Sequence, residues 1–108
     1  MADYFLIESR DPFEASDVTH DYALASDLAK AGNAVTLFLV QNGVLPTRPS
    51  AHSERLTALA KAEVKVLADA YSLRERGIDP AGLVEGVAPA EVDSVVDAMA
   101  AGHKTIWF

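Results

Sequence analysis

Apolar positions along the chain follow two different periods, and the changes of period mark its elements. Tyr4 to Ile7 is a short, continuous apolar run closed by Glu8-Ser9-Arg10-Asp11-Pro12, and a run bounded in this way predicts a buried strand. From Asp17 to Ala31 the spacing becomes helical, with Val18, Tyr22, Ala25, Leu28 and Ala29 on one face, Asp17, Asp21 and Asp27 on others, and Gly32-Asn33 as the stop. Ser16 suits the N-cap, while Asp11-Pro12-Phe13-Glu14 offers a competing earlier start, Asp before Pro with Glu two residues on.

Ala34 to Val40, AVTLFLV, is apolar without alternation, as expected of a central parallel strand covered on both faces. Gln41-Asn42-Gly43-Val44 predicts a turn, and Leu45 to Ser50, with Pro46 and Pro49, a loop. A helix is expected over Ser53 to Ala62, a third strand over Glu63 to Ala68, and a short helix over Asp69 to Arg76 ended by Gly77. Leu83 to Val87 reads as a short strand or extended connection. Pro89 is expected to open a last helix with Val92, Val95, Val96 and Met99 as its apolar stripe, and Lys104 to Phe108 to form a terminal strand. The order β-α-β-α-β-α-(β)-α-β predicts a three-layer α/β/α domain on a mostly parallel sheet of about five strands.

The chain has 108 residues, few enough that one domain, residues 1–108, is expected, and half are apolar. Sixteen acidic against nine basic side chains give a net charge of -7, with no basic stripe, so nucleic acid is not an expected partner. The N-terminus lacks a basic region followed by a long apolar run, and no window is long enough to span a membrane; the expected location is cytoplasmic. Asp3, Glu8, Asp11, Glu14, Asp17, Asp21 and Asp27 are opposed in the first quarter only by Arg10, which reads as a solvated acidic face. The chain has no Cys, so it cannot itself carry a persulfide, form a thioester or offer a thiolate to a metal.

In an open parallel sheet, ligands bind beyond the carboxyl ends of the strands. That rim receives Ser9, Arg10 and Asp11 after the first strand, Gln41, Asn42 and Gly43 after the second, and Asp69 and Tyr71 after the third. Each has a structural reading beside the functional one: Asp11 and Asp69 as caps, Asn42-Gly43 as a turn. His20, Asp17 and Asp21 share a helical face but lack a fourth metal donor, His52 belongs to the start of the second helix, and His103 is expected near the last carbonyls of the last helix. A triad of Ser9, His52 or His103, and Asp69 lacks a nucleophile elbow, and no phosphate-cradling Gly run is present. No metal and no other cofactor is expected. A phosphoacceptor role for Asp69 with Asp11 as acidic neighbour is disfavoured because Lys104 stands at the start of the last strand instead of following it.

Ala23 to Gly32, ALASDLAKAG, followed by Val35 to Val44, VTLFLVQNGV, resembles the helix, strand and signature turn of the DsrE/DsrF/DsrH-like sulfur-relay proteins. Val66 to Ile78, VLADAYSLRERGI, resembles that family's third strand and following helix, with its basic-Gly-apolar ending at Arg76-Gly77-Ile78. Leu83 to Val87 and the closing helix and strand fit as well, so the likeness covers nearly the whole chain.

The resemblance implies a trimer or hexamer, as a homo-oligomer or mixed ring, and a possible protein partner in a sulfur-relay-like system. In sulfur-transferring members a Cys stands where the third strand meets its helix; counting back from Gly77 lands on Asp69. The expected function is therefore that of a non-catalytic binding or accessory component, with persulfide transfer by this chain not expected. The alternative is a small-ligand protein or enzyme that uses Ser9, Arg10, Asn42, Gly43, Asp69 and Tyr71, with Asp69 as the candidate catalytic group. Ile106, Trp107 and Phe108 are expected to be core if the last strand lies inside the sheet, the position favoured here, and an assembly surface if it lies at an edge.

Overall fold

The computed structural model describes residues 2–108. Its strands are β1 (Asp3–Glu8), β2 (Ala34–Leu39), β3 (Val64–Asp69), β4 (Val87–Ala90) and β5 (Lys104–Trp107); its α-helices are α1 (Val18–Lys30), α2 (Ser53–Lys61), α3 (Ala70–Glu75) and α4 (Asp93–Ala100). The strands form one sheet in the order β4-β3-β2-β1-β5, with every pairing parallel. Crossovers that step in one direction from β1 to β4 carry α1, α2 and α3 to one face of the sheet. The return from β4 to β5 steps the other way and carries α4 to the opposite face.

Alternation along the strands divides the core accordingly. Leu6, Leu37, Leu39, Val64 and Val66 meet Val18, Tyr22, Ala25, Leu56, Leu59 and Leu73 on the first face. Phe5, Ile7, Phe38 and Leu67 meet Ala98 and Val95 of α4 on the second, where the Phe5 and Phe38 rings lie 5.7 Å apart. The eight residues of α4 are too few to cover five strands. Where the helix falls short, Thr36 and Lys65 take the place of apolar residues, and a cavity of about 350 Å³ opens between them, Phe5, Asp97 and His103.

Several boundaries differ from the sequence expectation, each for a physical reason. Gln41–Thr47, expected as turn and loop, forms a 3₁₀ helix that contains Pro46. Pro89 does not open α4; it lies in β4, which among the described residues pairs with β3 alone, and an edge strand tolerates the missing N–H. α1 begins one residue later than expected, with Asp17 rather than Ser16 at the capping position and no side-chain cap. The α4 stripe is also rotated: Ala98 and Val95 turn inward, while Val92, Val96 and Met99 are exposed. β5 is an edge strand, so Trp107 is 61% exposed rather than core; Phe108 alone of the C-terminal apolar residues packs against the main core.

Candidate functional site

The carboxyl ends of β1, β2 and β3 bring the predicted rim residues into two clusters. The first is built on α3. Asp69 ends β3 with extended backbone, and its Oδ2 accepts from the Ser72 backbone N–H at 3.0 Å and from the Ser72 hydroxyl at 2.7 Å. The same hydroxyl accepts from the Gln41 N–H at 2.8 Å, holding that residue at φ 51°, a left-handed conformation rare outside glycine. Arg76 closes the cluster: its Nε and Nη2 donate to Asn42 Oδ1 at 3.1 and 3.0 Å, and its Nη1 donates to the Ser72 carbonyl. Asp69 is buried and makes no ion pair with Arg10, Arg74 or Arg76 among the described residues. Its carboxylate is a helix cap that also ties the β2 turn to α3.

The second cluster is built on the end of β1. Ser9 Oγ donates to the Phe108 carbonyl at 3.0 Å, and the Phe108 N–H donates to the Ile7 carbonyl at 2.8 Å, so the C-terminus is sewn to this end of the sheet. The Arg10 guanidinium reaches Asp17 at 3.0 Å and Asp21 at 3.4 Å; its hydrogen bond to Asp17 raises the already high pKa of the arginine. Asp11 is buried, and its Oδ1 accepts from the Phe13 N–H at 3.1 Å, a local turn of the kind Asp-Pro favours.

Gly43 joins the two clusters. A Cβ built on it would stand 2.2 Å from the Glu8 carbonyl oxygen, so the 3₁₀ helix lies directly on the β1 backbone. Tyr71 joins neither cluster: it is 58% exposed, with the Arg74 guanidinium 5.9 Å from its ring centre. The rim residues are therefore brought close, but Ser9, Arg10, Asn42 and Asp69 are all engaged by neighbours within the chain. Cavities of about 350, 240 and 150 Å³ lie elsewhere, under α4, between α1 and α2, and between α2 and Gly86.

The residue that sequence reasoning missed is Glu8. It is fully buried; its Oε2 accepts from the Arg10 N–H at 3.1 Å, and its Oε1 has no hydrogen-bond partner among the described residues. Burial, and then the Asp21 carboxyl within hydrogen-bonding reach, push the Glu8 pKa up to about 8. Burial and the nearby acids also raise the Tyr22 hydroxyl. The signal was in the alternation: Glu8 continues the inward positions Tyr4 and Leu6 of β1.

These features define a class: a parallel five-stranded α/β/α domain with its polar rim at the strand ends. The chain is similar to the solved structure of the protein of unknown function MTH1491 from Methanobacterium thermoautotrophicum, with a TM-score of 0.83 and 23% identity over 99% of this chain and 98% of that one. It is likewise similar to the ychN protein from E. coli, with a TM-score of 0.84 and 20% identity over the whole of both chains. The model of the DsrE/DsrF-like family matches residues 2–108, and the chain belongs to that family. No curated protein sequence matches it. No helix among the described residues is long and apolar enough to cross a membrane.

Proposed function

We propose that this chain is a non-catalytic binding or accessory component of a sulfur-relay-like system, acting through its surface and not through a reacting group. The observation that carries this reading is the state of Asp69. It stands at the position of the sulfur-carrying Cys implied by the resemblance, and its carboxylate is spent on capping α3 and anchoring the β2 turn. A carboxylate cannot carry sulfane sulfur, and the chain has no thiol to do so. The engagement of Ser9, Arg10 and Asn42 within the chain speaks against the rim as a small-ligand or catalytic site.

The surface that suits such a role lies on the α4 side of the sheet. Val96 and Met99 of α4, with Val92 at its N-cap, form an exposed apolar stripe. Trp107 pairs in register with Ile7, whose side chain packs with Ala98, so the indole is on the same side. Apolar residues grouped in this way on an acidic chain support assembly, as a homo-oligomeric trimer or hexamer or beside a relay partner.

The test uses a Cys-bearing DsrE-type protein loaded with radiolabelled sulfane sulfur, mixed with this chain and analysed by sedimentation. The two are expected to co-sediment, with all the label remaining on the Cys-bearing protein. Independent sedimentation would remove the accessory reading.

A further inference from the structure

The cavity under α4 differs from the strand-end rim in that its polar groups are not engaged. Thr36, Lys65, Ser94 and Asp97 line it. Among the described residues Lys65 and Asp97 have no ion-pair partner, and the hydroxyls of Thr36 and Ser94 enter no hydrogen bond within the chain. Ser9, Arg10, Asn42 and Asp69 at the rim, by contrast, are all held by neighbours.

Strand register fixes the floor of this cavity. Phe5, Thr36 and Lys65 are matched across β1, β2 and β3, so their side chains stand in one row on the α4 face, about 4.8 Å from strand to strand. The row runs from an aromatic ring at one end to an ammonium group at the other, about 10 Å away. Leu67, two residues beyond Lys65 on β3, keeps the floor beside it apolar. The wall is one face of α4 and its C-cap, where Ser94, Asp97, Ala98 and Ala101 recur at helical spacing. Val96 and Met99 of the exposed stripe lie on the other side of that helix. A volume of about 350 Å³ belongs to the small end of small-molecule sites, which span roughly 300–1,000 Å³.

We propose that this cavity binds a free α-amino acid with an aliphatic side chain. Its carboxylate meets the Lys65 ammonium and the Thr36 hydroxyl, its ammonium meets the Asp97 carboxylate and the Ser94 hydroxyl, and its side chain rests against Phe5 and Leu67. The unpaired cation on the floor and the unpaired anion on the wall select the class of ligand. A zwitterion matches both charges at once, whereas a simple anion faces the Asp97 carboxylate and a simple cation the Lys65 ammonium. The two hydroxyls suit both roles, since each can donate to a carboxylate or accept from an ammonium.

The experiment titrates L-leucine into ¹⁵N-labelled protein at neutral pH, beside isocaproate, which lacks the ammonium, and isoamylamine, which lacks the carboxylate. The amide signals of Thr36, Lys65, Ser94 and Asp97 are expected to shift together and to saturate with a Kd of about 1 mM or below. Each half-ligand should bind about tenfold more weakly or worse. Asp97→Asn should abolish the preference for leucine over isocaproate and keep that over isoamylamine; Lys65→Gln should do the reverse. Both side chains are exposed, so both variants are expected to fold. No saturable shift at about 10 mM leucine overturns the proposal, as do shifts that map away from these four residues. Either half-ligand binding as tightly as leucine, or variants that keep both preferences, overturns it as well.

Discussion

Gly43→Ala is expected to destabilise the protein by about 3 kcal/mol or more, from backbone overpacking together with lost hydrogen bonds. The added Cβ would lie 2.2 Å from the Glu8 carbonyl oxygen and 3.1 Å from its carbon. Both are backbone atoms of a central strand, so no flexible side chain can yield. Relief requires the 3₁₀ helix to swing away, which strains the bonds from the Val40 N–H to the Glu8 carbonyl at 3.0 Å and from the Gly43 N–H to the Val40 carbonyl at 2.9 Å. Thermal unfolding should show the loss as a drop in Tm of roughly 15 °C. Gly82→Ala provides the control: it has open space around it and no positive φ, so a change within about 0.5 kcal/mol is expected. Equal melting of the two variants would mean that the 3₁₀ helix does not rest on β1 as described.

Asp69→Ala should cost about 2–3 kcal/mol, because it removes a helix cap and strands a buried hydroxyl together. The Ser72 N–H and hydroxyl both lose their acceptor, and Ser72 is itself buried between Asp69 and Gln41. Asp69→Asn retains an oxygen in the same place and should cost about 1 kcal/mol or less, the difference between a charged and a neutral acceptor. Urea unfolding of the two variants distinguishes a cap from a charge. Asn as damaging as Ala would show that the negative charge, and not the acceptor, is what the fold requires. If both variants unfold like the wild type, Asp69 has no structural role and becomes available again as a functional group.

β1, β2 and β3 were legible in the sequence because apolar runs or alternation bounded by turn residues are a local property; β4 was not, since it lies at Val87–Ala90 and the segment expected was Leu83 to Val87. Tyr4 to Ile7, Ala34 to Val40 and Glu63 to Ala68 each fall within a residue of the bounds of β1, β2 and β3. Strand order is not local. Nothing between Lys104 and Phe108 says whether β5 is inside the sheet or at its edge, so Trp107 was expected in the core and is exposed. The α4 stripe was misdirected for a related reason. Small and apolar residues lie on both sides of that helix, and only packing against Phe5, Ile7 and Phe38 selects Ala98 and Val95 as the inward pair. Pro89 in β4 and Pro46 in the 3₁₀ helix show tertiary context overriding a residue that usually ends an element.

The rim was legible as a set of residues but not as a set of bonds. That Asp69 caps α3 follows from its place before Ala70, and the cap was one of the readings available. The chain from Gln41 through Ser72 to Asp69, and the hold of Arg76 on Asn42, join residues remote in sequence and needed the fold to be seen. In the sequence Glu8 reads as the polar end of a strand, because Asp21, which helps to raise its pKa, lies on a helix that folds back over it.

That this chain acts through its surface is tested most directly by sedimentation velocity at low micromolar concentration. The wild type is expected to sediment as a trimer or hexamer of its 11.5 kDa chain, and a Val96→Asp, Trp107→Ser double variant, altered only at exposed positions, as a folded monomer. A wild-type protein that remains an 11.5 kDa monomer would contradict assembly through the α4 side of the sheet.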